Sequence, residues 1–72
     1  MIYKERIKQI RQERGYSQEQ LAERLGTSQS HYHRYENGKT EIPASRIADI
    51  CRIFNISADW LLGLTDNPQT PA

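Results

Sequence analysis

The chain has 72 residues, of which 36% are hydrophobic and 26% charged, and its formal net charge is +1. This size and composition predict one compact folded domain with a small core rather than a disordered chain. No apolar run approaches the roughly 20 residues that cross a bilayer, and the N-terminal string MIYKERIKQI lacks the apolar stretch of a signal peptide. We therefore expect no membrane contact. A single cysteine excludes an internal disulfide framework, so we expect a reducing, cytoplasmic location.

Helical periodicity and helix caps organise the first part of the chain. Apolar and long side chains at positions 3, 7, 10 and 14 would share one face of a first helix, which Gly15 ends. Ser17 and Gln20 have the spacing of a capping box, which predicts the start of a second helix. Gly26 ends that helix after about two turns, because glycine accepts the left-handed backbone of a helix C-terminus.

Three further helices are predicted after Gly26. The third runs from the cap Ser28 to about Glu36. The fourth has the clearest apolar pattern, at i, i+3, i+4 and i+7: Ile47, Ile50, Cys51 and Phe54. Ser57 caps a short fifth helix that contains Trp60. Since no stretch alternates with period two, we predict an all-α fold, a compact five-helix bundle.

The domain is expected to cover residues 1–64, with a flexible C-terminal tail at 65–72. Within it, residues 18–37 form a helix-turn-helix unit whose apolar positions are Leu21, Leu25, Tyr32 and Tyr35. Ala22 stands where the two helices come close, and Gly26 stands where the turn needs a left-handed residue. Two helices held in this way leave the second free to enter a DNA major groove, which is about 12 Å wide.

The strings GYSQEQLAERLGTSQSHYHRYENGKTEIP and SADWLLG resemble the lambda-repressor-like helix-turn-helix domains of phage repressors, Cro proteins and small bacterial regulators, the Cro/C1-type or XRE family. The resemblance covers about residues 4–63. It implies a five-helix bundle, in agreement with the helix count. It also implies a sequence-specific DNA-binding transcriptional regulator, encoded by a bacterium or a phage.

The resemblance further implies roles for particular residues. Gln18 would contact phosphate and brace Gln29, which would make a bidentate contact to adenine. Arg34 would reach either guanine or a phosphate. Arg11 and Glu36 would form a buried structural ion pair. The whole set expected to bind DNA is Gln18, Ser28, Gln29, Ser30, His31, His33, Arg34, Asn37, Lys39 and Thr40.

Two positions depart from the family pattern. Thr27 stands where an aliphatic residue is usual, and Tyr32 replaces the common isoleucine or valine. If Tyr32 is buried, its hydroxyl must find a hydrogen-bond partner or reach solvent. We therefore expect the third helix, the one that would enter the groove, to be oriented differently from that of its relatives.

The histidines and the cysteine do not predict a metal site. Side chains two apart on a helix point roughly 200° apart, so His31 and His33 cannot bind one ion together. One cysteine elsewhere does not complete a zinc set. Cys51 lies on the apolar stripe of the fourth helix, which is typical of an inert buried thiol. We expect no metal, no cofactor, no catalytic residue and no enzymatic activity.

Double-stranded DNA, bound through its major groove, is the expected partner. We expect a repressor that acts by operator occupancy, because the sequence after the domain offers nothing that would sense a ligand. The family also implies a homodimer. We expect its contact in the Trp60–Leu64 region, because Leu64 has no evident core role. The alternative is an antitoxin, which would bind a toxin partner and autoregulate its own promoter.

Overall fold

The computed structural model describes residues 2–69. Five α-helices follow one another along the chain: α1 (Ile2–Glu13), α2 (Gln18–Leu25), α3 (Gln29–Glu36), α4 (Ala44–Phe54) and α5 (Ala58–Leu61). No strand occurs in this part of the chain, so the all-α five-helix fold class is confirmed. Within the same residues, no helix has the length and apolar character needed to span a membrane.

The caps that the sequence predicts around α2 are formed. The Ser17 hydroxyl accepts from the Gln20 amide at 3.0 Å, and the Gln20 side chain accepts from the Ser17 amide at 2.8 Å. Gly26 ends the helix with a φ of 74°. No atom lies within 4 Å of the place a Cβ would take there, so it is the left-handed backbone, not crowding, that favours glycine at this turn.

One hydrophobic core joins the five helices. Its buried side chains are Ile7, Ile10, Leu21, Ala22, Leu25, Tyr32, Tyr35, Ile42, Ile50, Phe54, Ile56, Trp60 and Leu61. All four apolar residues predicted for the unit 18–37 belong to it, and Ala22 is only 1% exposed. Because α2 and α3 are both anchored in this core, the angle between them is held by packing on both sides of the turn.

The apolar stripe of α4 is less deeply placed than the sequence predicts. Ile50 and Phe54 are buried, but Ile47 and Cys51 are only half-buried. The expectation of a buried thiol is therefore corrected, because Cys51 lies toward the edge of the core. Partial burial still raises the pKa of the Cys51 thiol and outweighs the positive charge of Arg52, which lowers it. The thiol therefore stays protonated at neutral pH.

The predicted flexible tail at 65–72 contacts the bundle over its described residues. The Ser57 amide donates to the Pro68 carbonyl at 2.9 Å. The Arg6 side chain of α1 donates to a backbone carbonyl of the same segment at 2.8 Å. The start of the segment thus has partners that a free tail would lack. The predicted tail residues 70–72 lie outside the described residues.

Candidate nucleic-acid interface

Helix α3 has one side in the core and one side in solvent. Its buried side chains are those of Tyr32, Tyr35 and Glu36. Its exposed side chains are those of Gln29, Ser30, His33 and Arg34. Because one side of α3 is packed in the core, its orientation is fixed and its polar side chains face solvent in a row.

The end of α3 is tied to α1 by a buried ion pair. Arg11 Nε donates to Glu36 Oε2 at 2.6 Å, and Arg11 Nη2 donates to Glu36 Oε1 at 3.2 Å. The two side chains are 9% and 2% exposed. The carboxylate also accepts from the Tyr32 hydroxyl, and from Gln18 Nε2 at 3.1 Å. The hydroxyl that departs from the family pattern thus has a partner inside the protein.

The protonation states of this cluster follow from these contacts. Burial alone would raise the pKa of Glu36, but hydrogen bonds from Arg11, Tyr32 and Gln18 outweigh burial and lower it. The hydrogen bond to Glu36 raises the pKa of Arg11, and burial raises the pKa of Tyr32. At neutral pH the carboxylate and the guanidinium are therefore charged, and the phenol keeps its proton.

Gln18 links the buried cluster to the exposed side of α3. Its Nε2 atom donates to Glu36, and its Oε1 atom lies 3.1 Å from His33 Nδ1. The other ring nitrogen, His33 Nε2, lies 2.7 Å from Asn37 Nδ2. The packing of α2 against α3 brings Gln18 to Glu36 and His33. The brace between Gln18 and Gln29 that the resemblance implies stays a prediction.

Six of the ten residues expected to bind DNA line one surface hollow: Gln18, Gln29, Ser30, His33, Arg34 and Lys39. Arg34 and Lys39 bring positive charge to it, and no acidic side chain is among the residues that line it. Amide, hydroxyl and guanidinium groups together can donate and accept at base edges, while Lys39 and Arg34 can also bind phosphate.

The other four residues of that set do not line the hollow. Ser28 is the cap of α3, and its hydroxyl accepts from the His31 amide at 3.1 Å. The His31 ring turns to Tyr35, with Nε2 2.9 Å from the phenol oxygen and the two rings edge to face at 4.9 Å. Asn37 is exposed at the end of α3, and Thr40 is half-buried in the turn that follows. The structure thus separates His31 from His33.

Lys4 is a basic residue near this surface that the sequence reasoning did not single out. Its Nζ atom lies 3.1 Å from the place that a Cβ on Gly38 would take, so its side chain runs along the turn after α3. Lys39, in the expected set, is the next residue of that turn. Nothing in the local sequence points to this neighbourhood, because Lys4 belongs to α1 and reaches the turn only through tertiary packing.

A family model described as helix-turn-helix matches residues 7–61. The chain belongs to this helix-turn-helix family. It is 36% identical over 94% of its length to the uncharacterized HTH-type transcriptional regulator YobD of Bacillus subtilis (strain 168), and covers 61% of that protein. It is 31% identical over 81% of its length to the HTH-type transcriptional regulator ImmR of the same organism, and covers 46% of it. The chain therefore spans about half the length of the curated relatives it matches.

Solved structures of this helix-turn-helix family have the same fold. The N-terminal DNA binding domain of SinR from Bacillus subtilis matches with a TM-score of 0.72 and 31% identity, over 85% of this chain and 90% of that domain. A chain of the SinR protein/SinI protein complex matches with a TM-score of 0.72 and 33% identity, over 86% of this chain and 60% of that chain. These matches confirm the predicted fold and the family resemblance.

Proposed function

We propose that this chain is a sequence-specific double-stranded DNA-binding transcriptional regulator whose α3 enters the major groove. The observation that carries the proposal is the hollow in which Gln29 and Arg34, on the outward side of a helix anchored in the core, lie with Lys39 of the turn that follows. The family supports it, since the similar proteins are named as transcriptional regulators and the similar SinR domain as DNA binding.

Base contacts and backbone contacts divide between different residues in this proposal. Gln29, at the start of α3, pairs with adenine through its amide, while Arg34 contacts guanine or a phosphate. The residues assigned to the DNA backbone are Gln18, Ser28, Asn37, Lys39 and Thr40, which start or follow the two helices of the unit. Lys4 adds a positive charge beside the same turn. The His31 ring faces Tyr35 and lies outside the hollow, so we expect His31 to contribute least of the set to DNA binding.

The decisive experiment is selection of bound sequences from random duplex DNA with the whole chain. We expect one enriched motif, and binding to it that weakens steeply with salt because phosphate contacts release counterions. A matched control is Gln12→Ala, an exposed glutamine of α1 outside the proposed surface, which should select the same motif. Selection that enriches no motif would contradict the proposal.

We further propose that the regulator is a repressor that acts by operator occupancy, with residues 1–64 as its DNA-binding domain and no enzymatic role. A domain seated on an operator excludes polymerase without any chemistry. Among the described residues, the polar groups of the hollow include no nucleophile hydrogen bonded to a base. A reporter promoter that contains the selected motif should lose expression when the chain is present. Unchanged or increased expression would contradict repression.

The proposed homodimer contact differs from the expected Trp60–Leu64 region. Trp60 and Leu61 are buried within the chain, at 6% and 0% exposure. Leu64 is 74% exposed and Leu62 42%, and Ile2, whose side chain reaches Gly63, is 43% exposed. These three apolar side chains form the surface we assign to the second copy. A toxin, the partner in the antitoxin alternative, would instead appear as a co-purifying protein.

The dimer is tested by light scattering at high micromolar concentration. We expect a dimer for the unaltered chain and a monomer for Leu64→Arg, because a charge would be buried in the contact. Leu64→Ala is the matched control that removes apolar area without adding charge, and it should only weaken the association. An unaltered chain that stays monomeric would overturn this part of the proposal.

A further inference from the structure

We propose that His33 is a positioning residue of the DNA-binding surface, which orients Gln18 and Asn37 through its two ring nitrogens and does not itself contact a base. The inference rests on the proposed function, since it concerns how two residues assigned to the DNA backbone are held. It reassigns a residue whose position on the exposed side of α3 suggests base contact.

The buried carboxylate of Glu36 fixes the first hydrogen bond of the series. An ionised carboxylate can only accept hydrogen bonds, so Gln18 must present its NH₂ group to Glu36. Its carbonyl oxygen is then the atom that faces His33 Nδ1 at 3.1 Å. A carbonyl oxygen also only accepts, so Nδ1 must carry a proton. The ion pair with Arg11 keeps Glu36 charged, and the charge thereby sets the direction of every later hydrogen bond.

The second ring nitrogen completes the chain of contacts. In a neutral ring with its proton on Nδ1, Nε2 is an acceptor. Asn37 Nδ2 lies 2.7 Å from it and supplies the donor. Each donor in the series from Arg11 through Glu36, Gln18 and His33 to Asn37 thus meets an acceptor.

This arrangement leaves His33 without a free ring nitrogen. Reading a base edge would require the ring to give up Gln18 or Asn37. By contrast, Gln18 keeps one N–H of its amide and Asn37 keeps its carbonyl oxygen and one N–H for other partners. The free groups of Gln18 and Asn37 lie at the beginning of α2 and the end of α3, the two places we assign to the DNA backbone.

The first test needs no DNA. Correlation of ring nitrogens with ring protons by NMR, at roughly pH 8 where an ordinary histidine is neutral, reports which nitrogen carries the proton. We expect the proton of His33 on Nδ1 in the unaltered chain and a weaker preference in Gln18→Ala, where only Asn37 still favours this tautomer. Gln12→Ala, an exposed glutamine outside the network, should leave the ring unchanged. A proton on Nε2 in the unaltered chain, or an unaffected ring in Gln18→Ala, would overturn the proposal.

The second test measures binding to the selected duplex and to its single-base-pair variants. His33→Ala should weaken binding to all of them alike, by about five- to tenfold, with unchanged order of preference. In a Gln18→Ala/Asn37→Ala background the same substitution should have no further effect, because its two targets are gone. Changed preference at one base pair, or a full effect in that background, would show direct base contact and refute the positioning role.

The two tests separate this inference from the proposed function. If the unaltered chain selects no motif, the proposed function fails, while the NMR result still decides the hydrogen-bond series. If a motif is selected and His33→Ala alters one base preference, only the inference about His33 fails. His33 is exposed, so its alanine variant should fold, and an unchanged thermal melt checks this.

Discussion

Arg11 of α1 and Glu36 at the end of α3 are 25 positions apart in the chain, yet Arg11 Nε and Glu36 Oε2 lie 2.6 Å apart. Both side chains are almost wholly enclosed. The ion pair therefore holds α3 against α1, and the apolar core that both helices share does the same. Loss of DNA binding after substitution of either residue would report on folding before it reported on contact with DNA.

Arg11→Ala should destabilise the chain by about 3–5 kcal/mol, because it leaves the buried carboxylate of Glu36 unpaired. Urea denaturation measures this. The control is Arg52→Ala, which removes an exposed ion pair with Asp49 and should cost less than about 1 kcal/mol. The double variant Arg11→Met/Glu36→Leu should cost less than the two single changes added together. Equal costs for Arg11→Ala and Arg52→Ala would contradict a structural role for the buried pair.

Stability should depend on pH through Glu36. Its pKa is lowered in the folded chain, so the unfolded chain binds this proton more readily. The stabilisation is complete above the ordinary glutamate value of about 4.3 and is lost as the pH falls from there through the lowered folded pKa. Glu36→Gln lacks this contribution, so its free energy of unfolding should approach that of the unaltered chain in acid. Glu23→Gln, at an exposed position, should keep the unaltered profile.

Tyr32→Phe should cost about 1.5–3 kcal/mol, because it removes a buried hydrogen bond to a charged group. Tyr35→Phe is the matched control. Its hydroxyl contacts His31 in a partly exposed place, so its loss should cost less. Thermal or urea unfolding compares the two variants. A Tyr32→Phe variant as stable as the unaltered chain would show that the remaining donors satisfy Glu36.

Base contact and phosphate contact should have different signatures on the selected duplex. Gln29→Ala should cost about 1–3 kcal/mol in binding and relax preference at one base pair. Lys39→Ala should weaken all sequences alike and reduce the salt slope by about one. Binding isotherms at several salt concentrations separate the two effects. Uniform weakening by Gln29→Ala would show that this side chain contacts the DNA backbone instead of a base.

Two glycines should respond differently to alanine. At Gly26 only the left-handed backbone opposes a Cβ, so Gly26→Ala should cost about 1–2 kcal/mol. At Gly63, with a φ of 84°, a Cβ would also lie 2.6 Å from Ile2 Cγ2, so Gly63→Ala should cost more. Adding Ile2→Ala should relieve part of the loss at Gly63 and none at Gly26. Unfolding midpoints of the four variants test this, and equal losses at the two glycines would contradict it.

The sequence by itself determined the helices, the turn and the family. Ser17 with Gln20, and Gly26, act on backbone groups within a few residues, so their effect can be seen in the local sequence. The apolar spacing around Tyr32 and Tyr35 likewise follows from helical geometry alone. These local interactions are enough to predict which side of α3 faces solvent.

Only the tertiary structure decided what the polar side chains of that surface bind. Gln18 bonds to Glu36 and His33, and His31 turns to Tyr35. A side-chain amide or ring has several partners within reach along the sequence, and the packing of α2 against α3 and α1 selects among them. The proposed role of His33 in positioning its neighbours therefore rests on three-dimensional contacts that helical periodicity does not encode, whereas base reading by Gln29 rests on the family resemblance.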